Sequence, residues 1–252
     1  MNRKPDSGLA ALLAQLEVGS HTVLAGSLLI GVFEVTIIGS AIAEAFIEWK
    51  LGLPPWVIFT AVWIVWTLWH SRWFPRRRVR HLEHGGNAYR RAFLTDIYPW
   101  VSIGFSQMWR PLLNGDVLGA IVAGRFRLHA APLAIGLAIC FAALGAIIHA
   151  IRTIGIHNAA FLREFVEVET FVPIERGIYR LMMHPLFWSG IAYSCGLALA
   201  AGESAGYIIA GLNIVYGILY VRLEDRRLEN IFGSHYEDYR AHGRFTALRR
   251  SP

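Results

Sequence analysis

Polar and apolar positions along this chain segregate in blocks the length of whole helices. No Asp, Glu, Lys or Arg occurs from Leu51 to Trp69, from Ala130 to Ile148, from Pro185 to Gly202 or from Ala205 to Val221. A hydrocarbon core of about 30 Å takes about 20 helical residues, so each block predicts a membrane span. A first span is expected from about Thr22 to Ile47 and a second from about Pro54 to Phe74. The stretch DIYPWVSIGFSQMWRPLLNGDVLGAIVAGRFRLH is apolar but broken by Arg110, Pro111, Asn114 and Asp116. It reads as one distorted crossing or as two short helices lying in the interface.

Only Glu203 and Ser204 separate the last two spans, which predicts a tight helical hairpin. A hairpin returns to its starting side, so the polar connection from Arg152 to Met183 and the C-terminal tail share one membrane face. In the tail, Leu228, Ile231 and Phe232 fall at i, i+3 and i+4, an amphipathic stripe that Gly233 is placed to end. One turn back the stripe reaches Glu224 and Asp225, two carboxylates on the protein-facing side that require partners. The expected fold is an all-α integral membrane protein of about six transmembrane helices, with a C-terminal hairpin and an amphipathic cytoplasmic tail. Residues 1–150 form its N-terminal helices and 151–252 the hairpin region.

Composition agrees with a membrane class: 55% of the 252 residues are hydrophobic and 17% charged. The formal charge of +6 is clustered beside apolar spans, above all in RWFPRRRVRHLEHGGNAYRR. The positive-inside rule and anionic lipid heads account for that cluster, which places the loop in the cytoplasm and argues against nucleic acid as a partner. The N-terminus has a basic start but no long apolar core before a small-residue cleavage site, so the first helix is expected to stay. Cys140 and Cys195 fall inside spans as small apolar side chains. His81 and His84 lack further ligands nearby, and no metal is assigned.

Chemistry concentrates at the open end of the hairpin. Tyr179, Arg180, His184 and Pro185 approach from one side, and Arg222, Glu224 and Asp225 from the other. Pro185 suits a first helical turn, leaving His184 beside N–H groups that favour an anionic ligand group. Singly, each residue has a plainer role: His184 as an interfacial cap, Glu224 as an i+3 partner of Arg227. Their convergence across two spans favours a site.

The order GIYRLMMHPLFWSG, an uncharged hairpin, then RLEDRRLENIFGSHYEDYRAHGRF resembles the membrane methyltransferases of the isoprenylcysteine carboxyl methyltransferase and phospholipid methyltransferase group. Gly177, Tyr179, His184, Pro185 and Gly190 match the first motif; Glu224, Leu228, Phe232, Gly233, Tyr236 and Tyr239 match the second. Met183 stands where the family has Arg, Phe187 where it often has Tyr, and Asp225 where it has a second Glu. Arg180 or Arg176 is the expected substitute for the missing charge. The resemblance implies S-adenosylmethionine bound at the cytoplasmic end of the hairpin, covered by the tail, with a lipophilic or small membrane-permeable acceptor entering from the bilayer. It implies that His184 and the backbone near Pro185 line the cofactor pocket and that Glu224 holds the ribose or amino group. For a bacterial chain the site would face the cytoplasm from the inner (plasma) membrane.

Glu34 lies mid-span, with Glu44 ten residues on and read as nearly the same face. An intramembrane carboxylate is a functional candidate, here to orient the acceptor or remove its proton; pairing with Arg110 is the structural alternative. The tryptophans at 56, 63, 66, 69 and 73 read as packing and interfacial anchors. A nicotinamide-dependent membrane reductase of the sterol-reductase type, and a scaffold that has lost activity, are the competing functional readings.

Overall fold

A computed structural model describes residues 8–16, 22–166, 176–233, 236 and 240. Among these residues the regular elements are helical: α1 (Gly8–Gln15), α2 (Thr22–Leu51), α3 (Pro55–Leu68), α4 (Phe74–Leu82), α5 (Ala88–Ala92), α6 (Tyr98–Trp109), α7 (Gly115–Val122), α8 (Ala130–Ile154), α9 (Ile156–Ala159), α10 (Arg163–Val166), α11 (Pro185–Ala201) and α12 (Ser204–Phe232). Three are long and apolar enough to cross a membrane: Gly26–Leu51 of α2, α8, and Ser204–Asn230 of α12; α11 is apolar but shorter.

Side-chain contacts fix the helix directions. Partner numbers rise together between α2 and α6, from Thr36–Tyr98 through Glu44–Gln107 to Glu48–Arg110, so these helices run parallel. α3 and α12 are parallel by the same criterion, through Thr60–Tyr216, Trp66–Tyr220 and His70–Glu224. α3 runs against α6, where Trp66 Nε1 donates to the Trp100 carbonyl at 2.8 Å and Trp69 stacks on Trp100. α11 runs against both α8 and α12. In chain order, α2, α3, α6, α8, α11 and α12 therefore alternate in direction.

Small residues set the closest approach. A Cβ on Gly136 of α8 would lie 2.5 Å from the Gly196 carbonyl of α11, and one on Gly196 would meet Cys140 Sγ at 2.7 Å. Without a hydrophobic drive between helices in lipid, such backbone contact supplies the packing. Gly202, at φ 69°, caps α11, and α12 starts two residues later. Asn213, fully buried, accepts from Trp63 Nε1 (3.2 Å) and donates to Ser194 Oγ (2.7 Å) and the Gln107 carbonyl (3.0 Å). One amide thereby ties α3, α6, α11 and α12 together where water cannot satisfy it.

Several sequence expectations change in detail. The second span does not stop at Phe74: α3 continues through a π-helical turn, Trp69–Trp73, into α4. The broken region forms two helices, with α6 inside the bundle and not on its surface: Ser102, Ser106, Gln107 and Arg110 are all buried. Arg110 pairs with Glu44 Oε2 (3.2 Å) and with Glu48, not with Glu34. Ten residues leave Glu34 and Glu44 about 80° apart on a helix; Glu44 turns toward α6, whereas Glu34 lies exposed on α2. The tail helix is the direct continuation of the last span, and α12 ends at Gly233, φ 56°. Tyr239 and the side chains of Ile231 and Phe232 lie outside the described residues.

Candidate functional site

The ends of α3, α8 and α12 and the starts of α6 and α11 surround a cavity of about 330 Å³. Its chemistry is divided. Trp63, Trp66, Val101, Phe105, Met108 and Phe187 form an apolar arm, while Glu164, Tyr179, His184, Glu224, Arg227 and Tyr236 gather at the other end. Largely apolar walls with a few convergent polar groups are the usual form of a small-molecule site, and this volume lies at the lower end of the usual range.

Two histidine–carboxylate pairs on successive residues of α12 organise the polar end. His184 precedes Pro185, the buried first residue of α11, and adopts a left-handed backbone, φ 54°. Its Nε2 lies 2.7 Å from Asp225 Oδ1, which also accepts from the Tyr236 hydroxyl at 2.6 Å. The other described non-glycine residue with positive φ is Phe161, at 62°. It too lines the cavity, and strained backbone of this kind persists where surrounding structure over-determines it.

Glu224 is held by three donors. His70 Nε2 donates to Oε2 at 2.5 Å, and Arg227 donates through Nε to Oε2 (2.8 Å) and through Nη2 to Oε1 (2.7 Å). Arg227 also donates to Glu164 Oε1 at 2.6 Å. The pair is buried, so neither charge is tolerable without the other. His70 is 1% exposed and stacks on Trp66; the π-helical turn that carries it adds a residue to the helix and re-aims its side chains, as such turns often do at functional sites.

Of the residues singled out from sequence, Tyr179, His184 and Glu224 line the cavity, Asp225 fixes His184, and Pro185 starts the helix behind it. Arg180 and Arg222 are exposed and outside the lining, as is Glu34. Met183 is buried and faces the cavity, and the guanidinium found there belongs to Arg227, not to Arg180 or Arg176. Sequence reading missed His70, Glu164 and Arg227 as parts of one network. His70 had a signal: it falls four residues after Trp66 and seven after Trp63, on the same helix face.

Residues 131–235 match the sequence model of the phospholipid methyltransferase family. No curated protein and no solved structure matches the chain. The family match covers α8 to α12 and so includes His184, Glu224 and Asp225, and it implies methyltransferase chemistry in a membrane protein. It does not extend to α3, the turn that follows it and α6, which supply His70 and most of the apolar arm.

Proposed function

We propose that this protein is a membrane methyltransferase that uses S-adenosylmethionine to methylate a lipophilic or small membrane-permeable acceptor, through a thiol, carboxylate or amine, at the cytoplasmic face. The carrying observation is one cavity that joins the family's His184 and Glu224 to an apolar arm.

The polar end suits such a cofactor. Beyond the self-compensating Glu164–Arg227 pair it holds the Glu224 carboxylate, and the cofactor carries a net positive charge. Glu164 Oε2 and Asn158 Oδ1 are buried acceptors without a hydrogen-bond partner among the described residues, and both side chains line the cavity, as an incoming ammonium or amino group requires. Phe161, Tyr179 and Trp66 add aromatic lining, which suits a cation. When bound, the cofactor supplies an electrophilic methyl group. The chain's own part is to aim acceptor and cofactor in line and to exclude water, and Trp63, Trp66, Phe105 and Phe187 provide the dry walls for the acceptor.

The alternating directions of α2, α3, α6, α8, α11 and α12 support six crossings that end in a C-terminal hairpin. Exposed Arg76, Arg77 and Arg80 follow α3 at the cavity end, which supports a cytoplasmic site.

Calorimetric titration of the detergent-purified protein with S-adenosylmethionine, S-adenosylhomocysteine and reduced nicotinamide cofactors tests the reading. Binding of the first two is expected, and loss of that binding in Glu224→Gln, which keeps the side chain's shape. Nicotinamide binding would favour a reductase instead, and silence from every ligand an inactive scaffold.

A further inference from the structure

On the far side of the Glu164–Arg227 pair lies a second cavity, also of about 330 Å³, between α4 and α12. Arg78 and Arg226 line it, together with Ser71 and Asn230. The Glu164–Arg227 pair is neutral, so the cleft carries two further guanidinium charges. Arg78 donates to the Glu164 main-chain carbonyl through Nε (2.9 Å) and Nη2, keeps Nη1 for another acceptor, and only approaches the Glu164 carboxylate at 4.0 Å. Burial, with Arg227 adding to it, pushes the Arg78 guanidinium below its usual range, and Glu164 offsets this only in part. Arg226 is exposed and has no acidic partner among the described residues.

Below the cleft both flanking helices expose apolar side chains. On α12, Val215 and Leu219 are 53% and 47% exposed and fall eleven and seven residues before Arg226, on one helical face. On the parallel α3, Ile64 and Leu68, one turn apart, are 52% and 37% exposed, and Ser71 follows in the π-helical turn. Two exposed apolar stripes that converge on a doubly cationic cleft match the two ends of one molecule.

We propose that the α4–α12 cleft is a binding site for the phosphate of an anionic glycerophospholipid, whose acyl chain lies in the groove between α3 and α12. Guanidinium groups recognise phosphate oxygens through paired, charge-assisted hydrogen bonds, and basic pockets between membrane helices on the cytoplasmic side hold such head groups. The site is distinct from the methyl-transfer cavity, and the proposal stands whether or not that reading holds.

Native mass spectrometry of the full-length, delipidated protein tests it, with phosphatidylglycerol, phosphatidylcholine and inorganic phosphate as probes. One phosphatidylglycerol should be retained where phosphatidylcholine is lost. Arg226→Gln should weaken that retention about fivefold, while Arg125→Gln, exposed at the opposite end of the bundle, should not change it. Equal retention of the two lipids, or wild-type retention by Arg226→Gln, overturns the proposal. Displacement of the lipid by equimolar inorganic phosphate would do so as well, by assigning the cleft to a free oxyanion.

Discussion

A carboxylate held by three donors can be interrogated one donor at a time, and Glu224 allows this because its donors come from two helices. Removing His70 withdraws the donor carried by the turn after α3 and frees the carboxylate to rotate about its remaining contacts with Arg227. A hydrogen bond to a charged group is worth about 1.5–3 kcal/mol, so His70→Ala should weaken S-adenosylmethionine binding by roughly one to two orders of magnitude. His70→Gln places an amide N–H near the position of Nε2 and should recover much of that loss in the same calorimetric titration. Equal affinities in His70→Ala and wild type would mean that Arg227 alone positions Glu224. The conspicuous residue of the sequence, Glu34, lies outside the cavity; Glu34→Gln should leave cofactor affinity within about twofold, as expected of a substitution distant from the site.

Close backbone contact and buried charge stabilise different pairs of helices. α8 and α11 meet at Gly136 and Gly196, where any side chain must displace backbone; Gly196→Val should cost about 1–3 kcal/mol by overpacking and lower the melting temperature in detergent. α2 and α6 are joined by Glu44, Glu48 and Arg110, all largely buried. Leaving a charge there without its partner costs about 3–5 kcal/mol. Arg110→Leu should therefore destabilise more than the double variant Glu48→Leu/Arg110→Leu, as thermal unfolding of the two would reveal. Helices α3, α8, α11 and most of α12 were legible from charge-free runs, and Gly233 was legible as a stop. The π-helical turn at Trp69–Trp73 was not, because an extra residue in a turn leaves hydrophobicity unchanged and alters only where the downstream side chains point. The same applies to Asn213: an amide within an uncharged span carries no sequence sign that it bonds three other helices.

At the scale of the molecule, the hairpin end emerged from sequence as the locus of chemistry because its motifs are local: His184 and Asp225 flank two short-range elements. What escaped was the contribution of the first half. His70 reaches Glu224 across 154 positions, and no periodicity reports a contact at that separation. The two halves are also unequal in how they balance charge. The N-terminal half holds every partner of its cluster of Glu44, Glu48 and Arg110 within itself, whereas Glu164, Glu224 and Arg227 face Arg78 and His70 across the division. Production of the protein as two separate polypeptides, 1–129 and 130–252, a division that leaves α8 whole, should expose that asymmetry. The first piece is expected to persist in the membrane alone, and the second to be degraded quickly unless its counterpart is co-expressed, which pulse-chase labelling would measure. On this view the region that matches the family model is a dependent module: its buried ions are completed by a neighbour, so a graft of 131–235 onto a foreign membrane anchor would transfer the motif without the electrostatics that hold it in place.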